Sequence, residues 1–303
     1  MTDASPFESR IFVRKKKAVL TREQSARAYL WRPAPAPLGV KETRVLPSGL
    51  HVRFLRVSKP PLAGRTLLFF SDTHVRNAGL TGFFPGVKQG GGTEWLMKAF
   101  QELFEAIPMP DCILFGGDLA GEASWIGRGL DFLRVLPSGP RKFAVCGNWE
   151  LRRRWLPAER WRDLFAGAGF RLLLNESAEA CGIRFYGLDD AKEGDGLSGE
   201  ADVPAAENVC ILSHNPDTAA AMLPAERLRG APLILCGHTH GGQFRIPGFG
   251  AVLTSSRFGK RLEYGVYRHR STDATMYVSA GIGATWFNAR ICCPPEVLFV
   301  NFC

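Results

Sequence analysis

The chain has 303 residues, 46% hydrophobic and 22% charged; this is globular composition and excludes both wholesale disorder and a fibrous repeat. Thirty-eight Lys and Arg against 29 Asp and Glu leave a net charge of +9, which favours an anionic partner without choosing among phosphorylated metabolite, nucleic acid and acidic lipid. Ten of the cations and four of the anions fall in residues 1–50, so most of the surplus sits near the N-terminus.

In chain order, residues 1–44 read as a basic, Pro-rich arm. It holds the run Arg14–Lys17, a short amphipathic stretch around Ser25–Trp31, and prolines at 33, 35 and 37, a spacing that favours extended backbone. The arm reads either as a solvated tail or as a contact with an anionic membrane surface or partner. Arg14–Lys17 sits where the apolar stretch of a leader would lie, and no run of about 18 apolar residues occurs, so neither a leader nor a membrane span is expected. From Val45 onward neither a long linker nor a composition break divides the sequence, so 45–303 is expected to form one domain.

Leu50–Val57 reads as a strand after the turn Pro47-Ser48-Gly49. Five short apolar runs then recur, each ending in a polar cluster: Thr66–Phe70 before Ser71-Asp72, Cys112–Phe115 before Gly116-Gly117-Asp118, and Phe143–Cys146 before Gly147-Asn148. The others are Val209–Leu212 before Ser213-His214 and Leu233–Cys236 before Gly237-His238. Runs without alternation suit strands buried on both faces. Glu94–Ile107 is expected to be a helix, its stripe of Leu96, Phe100, Leu103, Phe104 and Ile107 packing on the core. Strands alternating with helices indicate an α/β layered fold, whose ligands bind beyond the carboxyl ends of strands.

The eight cysteines have no metal-binding or redox spacing. Cys112, Cys146, Cys210 and Cys236 lie in or beside apolar runs and read as small buried hydrophobes. No disulfide framework is expected, which suits a reducing, cytoplasmic compartment.

The strand ends collect Asp72, His74, Asp118, Asn148, His214, His238 and His240, which include four of the six histidines of the chain. Oxygen and imidazole ligands without thiolate suit Mn²⁺, Fe²⁺, Zn²⁺ or Mg²⁺. The pairs Asp72/His74 and His238/His240 share an i, i+2 spacing, which places both members on one face of an extended segment.

These motifs, Ser71-Asp72-Thr73-His74, Gly117-Asp118, Gly147-Asn148, His214 and Gly237-His238-Thr239-His240-Gly241-Gly242-Gln243, resemble in order and spacing the signature of the calcineurin-like metallophosphoesterases. The resemblance spans about residues 66–247. It implies a four-layer αββα sandwich holding two divalent metal ions, with Mn²⁺ the first choice. By position Asp72, His74, Asp118 and His240 would hold one metal, and Asp118, Asn148, His214 and His238 the other. Asp118, Asn148, His240 and Glu150 are then the catalytic candidates, and the reaction is hydrolysis by a water activated between the metals. Ser255–Gly259, Val278–Gly283 and Pro294–Val297 are similar to a bacterial branch with membrane-associated phosphoesterases and UDP-2,3-diacylglucosamine diphosphatases of lipid A synthesis. A phosphorylated small molecule or lipid is therefore the expected substrate, and peripheral contact with the cytoplasmic face of a membrane the expected location. A nucleotide or nucleic-acid phosphodiesterase or phosphatase is the alternative within the enzyme class; a catalytically silent metal-binding scaffold is the alternative outside it. Nucleic acid is disfavoured because the charge surplus is concentrated in the arm and no aromatic-basic platform is evident.

One position departs from the family. Where its motif commonly continues Gly-Asn-His, this chain has Gly147-Asn148-Trp149-Glu150. An indole offers only an N–H and cannot protonate a leaving group near neutral pH. Arg76, Asn77 and Trp149 are the nearest candidates for substrate contact, with Arg152–Arg154 as a further basic run. Phe83 and Phe84, in a Gly-rich loop, read as an apolar lid or a packed loop tip, and Trp286-Phe287 as a second such element.

Overall fold

The computed structural model describes residues 20–34, 40, 42–76, 81–82, 92–152, 156–190, 193–194, 206–285 and 289–303. Two seven-stranded sheets dominate it. The first runs in the order Glu42–Val45, His51–Val57, Glu296–Phe302, Thr66–Phe70, Cys112–Phe115, Arg141–Ala144 and Arg171–Leu172. The second runs Trp31–Pro33, Gly265–His269, Thr275–Val278, Leu233–Cys236, Val209–Ser213, Ile183–Leu188 and Glu176–Ala180. Each has a parallel centre: Thr66–Phe70, Cys112–Phe115 and Arg141–Ala144 in one, Ile183–Leu188, Val209–Ser213, Leu233–Cys236 and Thr275–Val278 in the other. All five apolar runs expected to be strands are these central strands, although Phe143–Cys146 pairs two residues earlier, as Arg141–Ala144.

Side-chain alternation explains why the runs are apolar throughout. Leu67, Phe69, Leu114 and Phe143 of the first sheet meet Phe185, Cys210, Leu212, Leu235 and Tyr277 of the second in a shared core. On the outer face of the first sheet, Leu68, Phe70, Ile113 and Phe115 pack against Leu96, Phe100 and Leu103 of the helix Gly92–Ala106 and Leu130 and Phe132 of the helix Ile126–Arg134. On the outer face of the second sheet, Ile211, Ile234 and Met276 pack against Ala219, Ala220 and Leu223 from the helix Pro216–Met222 and its end. Helix, sheet, sheet and helix therefore stack as an αββα sandwich, with each fully buried Phe or Leu contributing roughly 1.5–3 kcal/mol.

Part of the segment read as an arm is built into this sandwich. Thr21 caps the helix Arg22–Arg27 with a capping box. Trp31–Pro33 then pairs antiparallel with Gly265–His269 as an edge strand. Trp31 is fully buried, its ring against His269. Alternating prolines signal extended backbone, and an edge strand tolerates Pro33 because one side of it lacks a partner; what they do not signal is the strand it joins. The Arg14–Lys17 run lies outside the described residues. All eight cysteines are free, and Cys112, Cys146, Cys210 and Cys236 are buried. No helix among the described residues is long and apolar enough to cross a membrane.

Candidate active site

Every central parallel strand that ends in a polar cluster delivers it to one edge of the sandwich. The chain must turn sharply there, and it does so by placing ligand-type side chains in the left-handed region: Asp72 (φ 54°), His74 (φ 40°), Asp118 (φ 59°), His238 (φ 70°) and His240 (φ 53°). Such backbone costs about 1–3 kcal/mol per non-glycine residue and clusters at functional sites.

The seven expected residues converge. His74 Nε2 and His240 Nε2 lie 3.2 Å apart, and Asp72 Oδ1 is 3.6 Å from His240 Nε2. On the other side, Asn148 Oδ1 is 3.0 Å from His214 Nε2 and 2.6 Å from His238 Nδ1. One oxygen faces both groups: Asp118 Oδ2 is 3.4 Å from His74 Nε2 and 3.3 Å from His214 Nε2. Asp72, His74 and His240, and likewise Asp72, Asp118 and His214, offer donor atoms within 4.8 Å of one another.

This donor set fits divalent cations. Two buried imidazoles whose Nε2 atoms face each other at 3.2 Å need a proton or a metal between them. Burial pushes both His74 and His240 well below the ordinary histidine range; the Arg76 guanidinium adds to it at His74, and the imidazole of His74 disfavours a second proton beside it at His240. Both rings therefore present lone pairs, the form that binds metal. Burial also raises Asp72 and Asp118, carboxylates that a cation would hold ionised. Burial opposes a charge on His214 too, but the Asp118 carboxylate outweighs it and pushes the group up to about 10; its Nδ1 is 2.7 Å from the Gly116 carbonyl.

Glu150 holds the two central loops in register. Its fully buried carboxylate accepts from the backbone N–H groups of Asp118 (3.0 Å), Leu119 (2.7 Å) and Gly147 (2.7 Å). Burial, then the charge of Asp118, pushes Glu150 up to about 7. Glu150 is thus a positioning residue: it ties the Asp118 loop to the Asn148 loop. Gly147 makes that approach possible, because a Cβ there would strike the Asp118 carboxylate. Trp149 donates its backbone N–H to Asp118 Oδ1 at 2.8 Å, and its ring stands edge-on to His74, centroids 5.1 Å apart.

Two residues outside the expected set support the cluster. Arg290 is buried beneath His240, its Nη2 3.3 Å from His240 Nδ1, and it donates to the carbonyls of Ala280 and Gly283. Glu296, with no exposed surface, accepts from Tyr264, Tyr277, Ser279, the Ala280 N–H and Arg53. That network fixes the loop Ser279–Gly283, whose Gly283 N–H donates to the Asp72 carbonyl. In the sequence Glu296 stands within the Pro294–Val297 resemblance, and Arg290 reads only as the cation that follows Trp286-Phe287. Glu296→Ala leaves Arg53 and two phenols without their shared acceptor and is expected to cost about 3–5 kcal/mol, measured by denaturant unfolding. A loss below about 1 kcal/mol contradicts this role.

Of the substrate-contact expectations, Arg76 is half-buried and donates to the Ala284 carbonyl. Asn77, Phe83, Phe84, Arg153, Arg154, Trp286 and Phe287 lie outside the described residues, as does the side chain of Arg152.

The family model for calcineurin-like phosphoesterases matches residues 65–242, the span that carries all seven ligand candidates. The chain is 30% identical over 204 residues to "Phosphodiesterase YaeI" of Escherichia coli K12, covering 63% of this chain and 70% of that protein. It is 26% identical over 272 residues to an uncharacterized metallophosphoesterase of Aquifex aeolicus, covering 84% and 94%. Among solved structures it is similar to a 5'-nucleotidase precursor from Thermus thermophilus, with TM-score 0.41 and 16% identity, covering 72% of this chain but only 49% of that one. With the matched segment covering more than half of the chain and the ligand types converging at its strand ends, the protein belongs to the calcineurin-like phosphoesterase family and is a metal-dependent phosphoesterase.

Proposed function

We infer that the protein hydrolyses a diphosphate or similarly activated phosphoester at a two-metal centre, with a nucleotide-linked lipid such as UDP-2,3-diacylglucosamine as the substrate class. Bound divalent cations supply Lewis acidity toward the phosphoryl oxygens and make a shared water more acidic. The ligands divide as the distances do: Asp72, His74 and His240 on one side, Asn148, His214 and His238 on the other, with Asp118 Oδ2 facing both. Mn²⁺ is the first metal to test, because carboxylate, amide and imidazole donors suit it.

The observation that carries the substrate class is Trp149, whose indole edge stands against His74 at the position where the family's motif commonly has a histidine. An indole cannot hand a proton to a departing alkoxide. A phosphate leaving group, with a second pKa near about 6, departs without one. Support for the lipid portion comes from the resemblance of Ser255–Gly259, Val278–Gly283 and Pro294–Val297 to the membrane-associated branch.

The test is a comparison of kcat/KM, with Mn²⁺ present, for an aryl phosphodiester, a nucleotide-linked diphosphate and an alkyl phosphodiester. The aryl ester and the diphosphate are expected to exceed the alkyl ester by at least about 10²-fold, the size of a missing general acid. Equal rates on all three contradict the leaving-group reading.

A further inference from the structure

Directly after the ligand segment His238–His240, the chain forms a hairpin whose strands Arg245–Ile246 and Gly250–Ala251 pair antiparallel. It carries apolar side chains open to solvent: Phe249 in the turn is 62% exposed and Ile246 on the first strand 52%, and directly after the second strand Val252 is 50% and Leu253 80% exposed. These four side chains bury little in the sandwich, so folding does not account for them.

The surroundings are cationic. Arg257, Lys260 and Arg261 are all exposed, and no Asp or Glu occurs from Phe244 to Leu262. Lys260 Nζ sits 3.0 Å from the centroid of the Phe249 ring and donates to the Phe249 carbonyl at 3.1 Å, fixing charge at the apolar tip. Arg261 lies over the ring of Tyr29, itself 53% exposed. An exposed apolar hairpin with Lys260 on its Phe249 ring, followed in the chain by Arg261 over an exposed tyrosine, is complementary to an acyl boundary under anionic headgroups. A second copy of the chain would bring the same exposed cations face to face.

The hairpin is also coupled to the active site. A Cβ at Gly242 would strike Ala251, so the turn after His240 packs directly on the hairpin base. Ser255, four residues after the second strand, donates to the His238 carbonyl at 3.2 Å. We propose that the hairpin Arg245–Ala251 with Val252, Leu253 and the Lys260/Arg261 collar is a docking surface for an anionic lipid bilayer. Docked there, the protein presents its ligand cluster to molecules in the leaflet. The docking stands apart from the substrate reading; only its use in presenting lipid diphosphates rests on that reading.

Co-sedimentation with vesicles tests it. The wild-type chain is expected to bind vesicles of equimolar phosphatidylglycerol and phosphatidylcholine, not phosphatidylcholine alone, and to be released by high salt. Phe249→Ser with Leu253→Ser should weaken partition by about tenfold or more while leaving turnover of a soluble aryl phosphodiester unchanged. Lys260→Gln with Arg261→Gln should abolish the preference for phosphatidylglycerol and keep that turnover. Absence of wild-type binding, or unchanged partition in the apolar variant with turnover intact, overturns the proposal. So does a wild-type dimer in sedimentation equilibrium that the apolar variant dissociates, because the patch then serves a second copy. Should the apolar variant lose turnover as well, the charge variant decides: a preference for phosphatidylglycerol retained there overturns the proposal equally.

Discussion

Asp118→Asn should lower kcat/KM on an aryl phosphodiester by at least about 10³-fold, because it removes the one oxygen that faces both halves of the ligand cluster. The substitution is conservative in shape. Asparagine tolerates the left-handed backbone that Asp118 adopts, and its amide oxygen can still accept the Trp149 N–H. What changes is charge. Without the carboxylate the largest influence holding the His214 cation against burial is gone, so His214 falls from about 10. A ligand of one half alone provides the control: His238→Ala, beside Asn148 and His214, should weaken one class of site in calorimetric Mn²⁺ titration, whereas Asp118→Asn weakens both. A rate loss below about tenfold for Asp118→Asn contradicts a shared carboxylate.

Trp149→His should raise turnover of alkyl phosphodiesters by about 10²-fold relative to aryl phosphodiesters. The indole ring is replaced beside His74 by a group that can hold a proton near neutral pH. The backbone N–H of residue 149, which the Asp118 carboxylate accepts, is unaffected by the change of side chain. An aryloxide leaves unaided, so its rate should barely move, and the ratio isolates proton donation from any change in metal affinity. The alkyl pH profile should gain a limb that falls as pH rises through the range where the new imidazole loses its proton. If both substrates change together, Trp149 is a packing residue and the leaving-group argument fails.

The α/β layering was legible because buried parallel strands leave a plain mark, short apolar runs such as Cys112–Phe115 and Leu233–Cys236 without alternation, each closed by a polar turn; the four-layer αββα order came from the family resemblance. The candidate ligand residues were legible as a set for the same reason, since strand ends and site coincide in layered α/β folds. The edge strand Trp31–Pro33 was not: a three-residue strand beside a proline-rich stretch carries no periodicity, and its partner, Gly265–His269, lies near the other end of the chain. Arg290 was equally hidden. Its role depends on the loop Ala280–Gly283 folding back over Asp72, a contact with no local signature. Glu150 was legible as a carboxylate near the metal motif, but only the structure shows that it accepts three backbone N–H groups. The exposed side chains of Phe249 and Leu253 carry no mark in the sequence, because burial depends on what lies opposite.

Metal content measured together with activity tests the central claim most directly. Purified protein loaded with Mn²⁺ and passed through a desalting column should retain two ions per chain by elemental analysis, and chelation should abolish hydrolysis until Mn²⁺ is restored. Asp118→Asn treated identically should retain one ion or none. Full hydrolytic activity in protein that carries no divalent metal, or two ions retained by the Asp118→Asn chain, would contradict a centre built around that carboxylate.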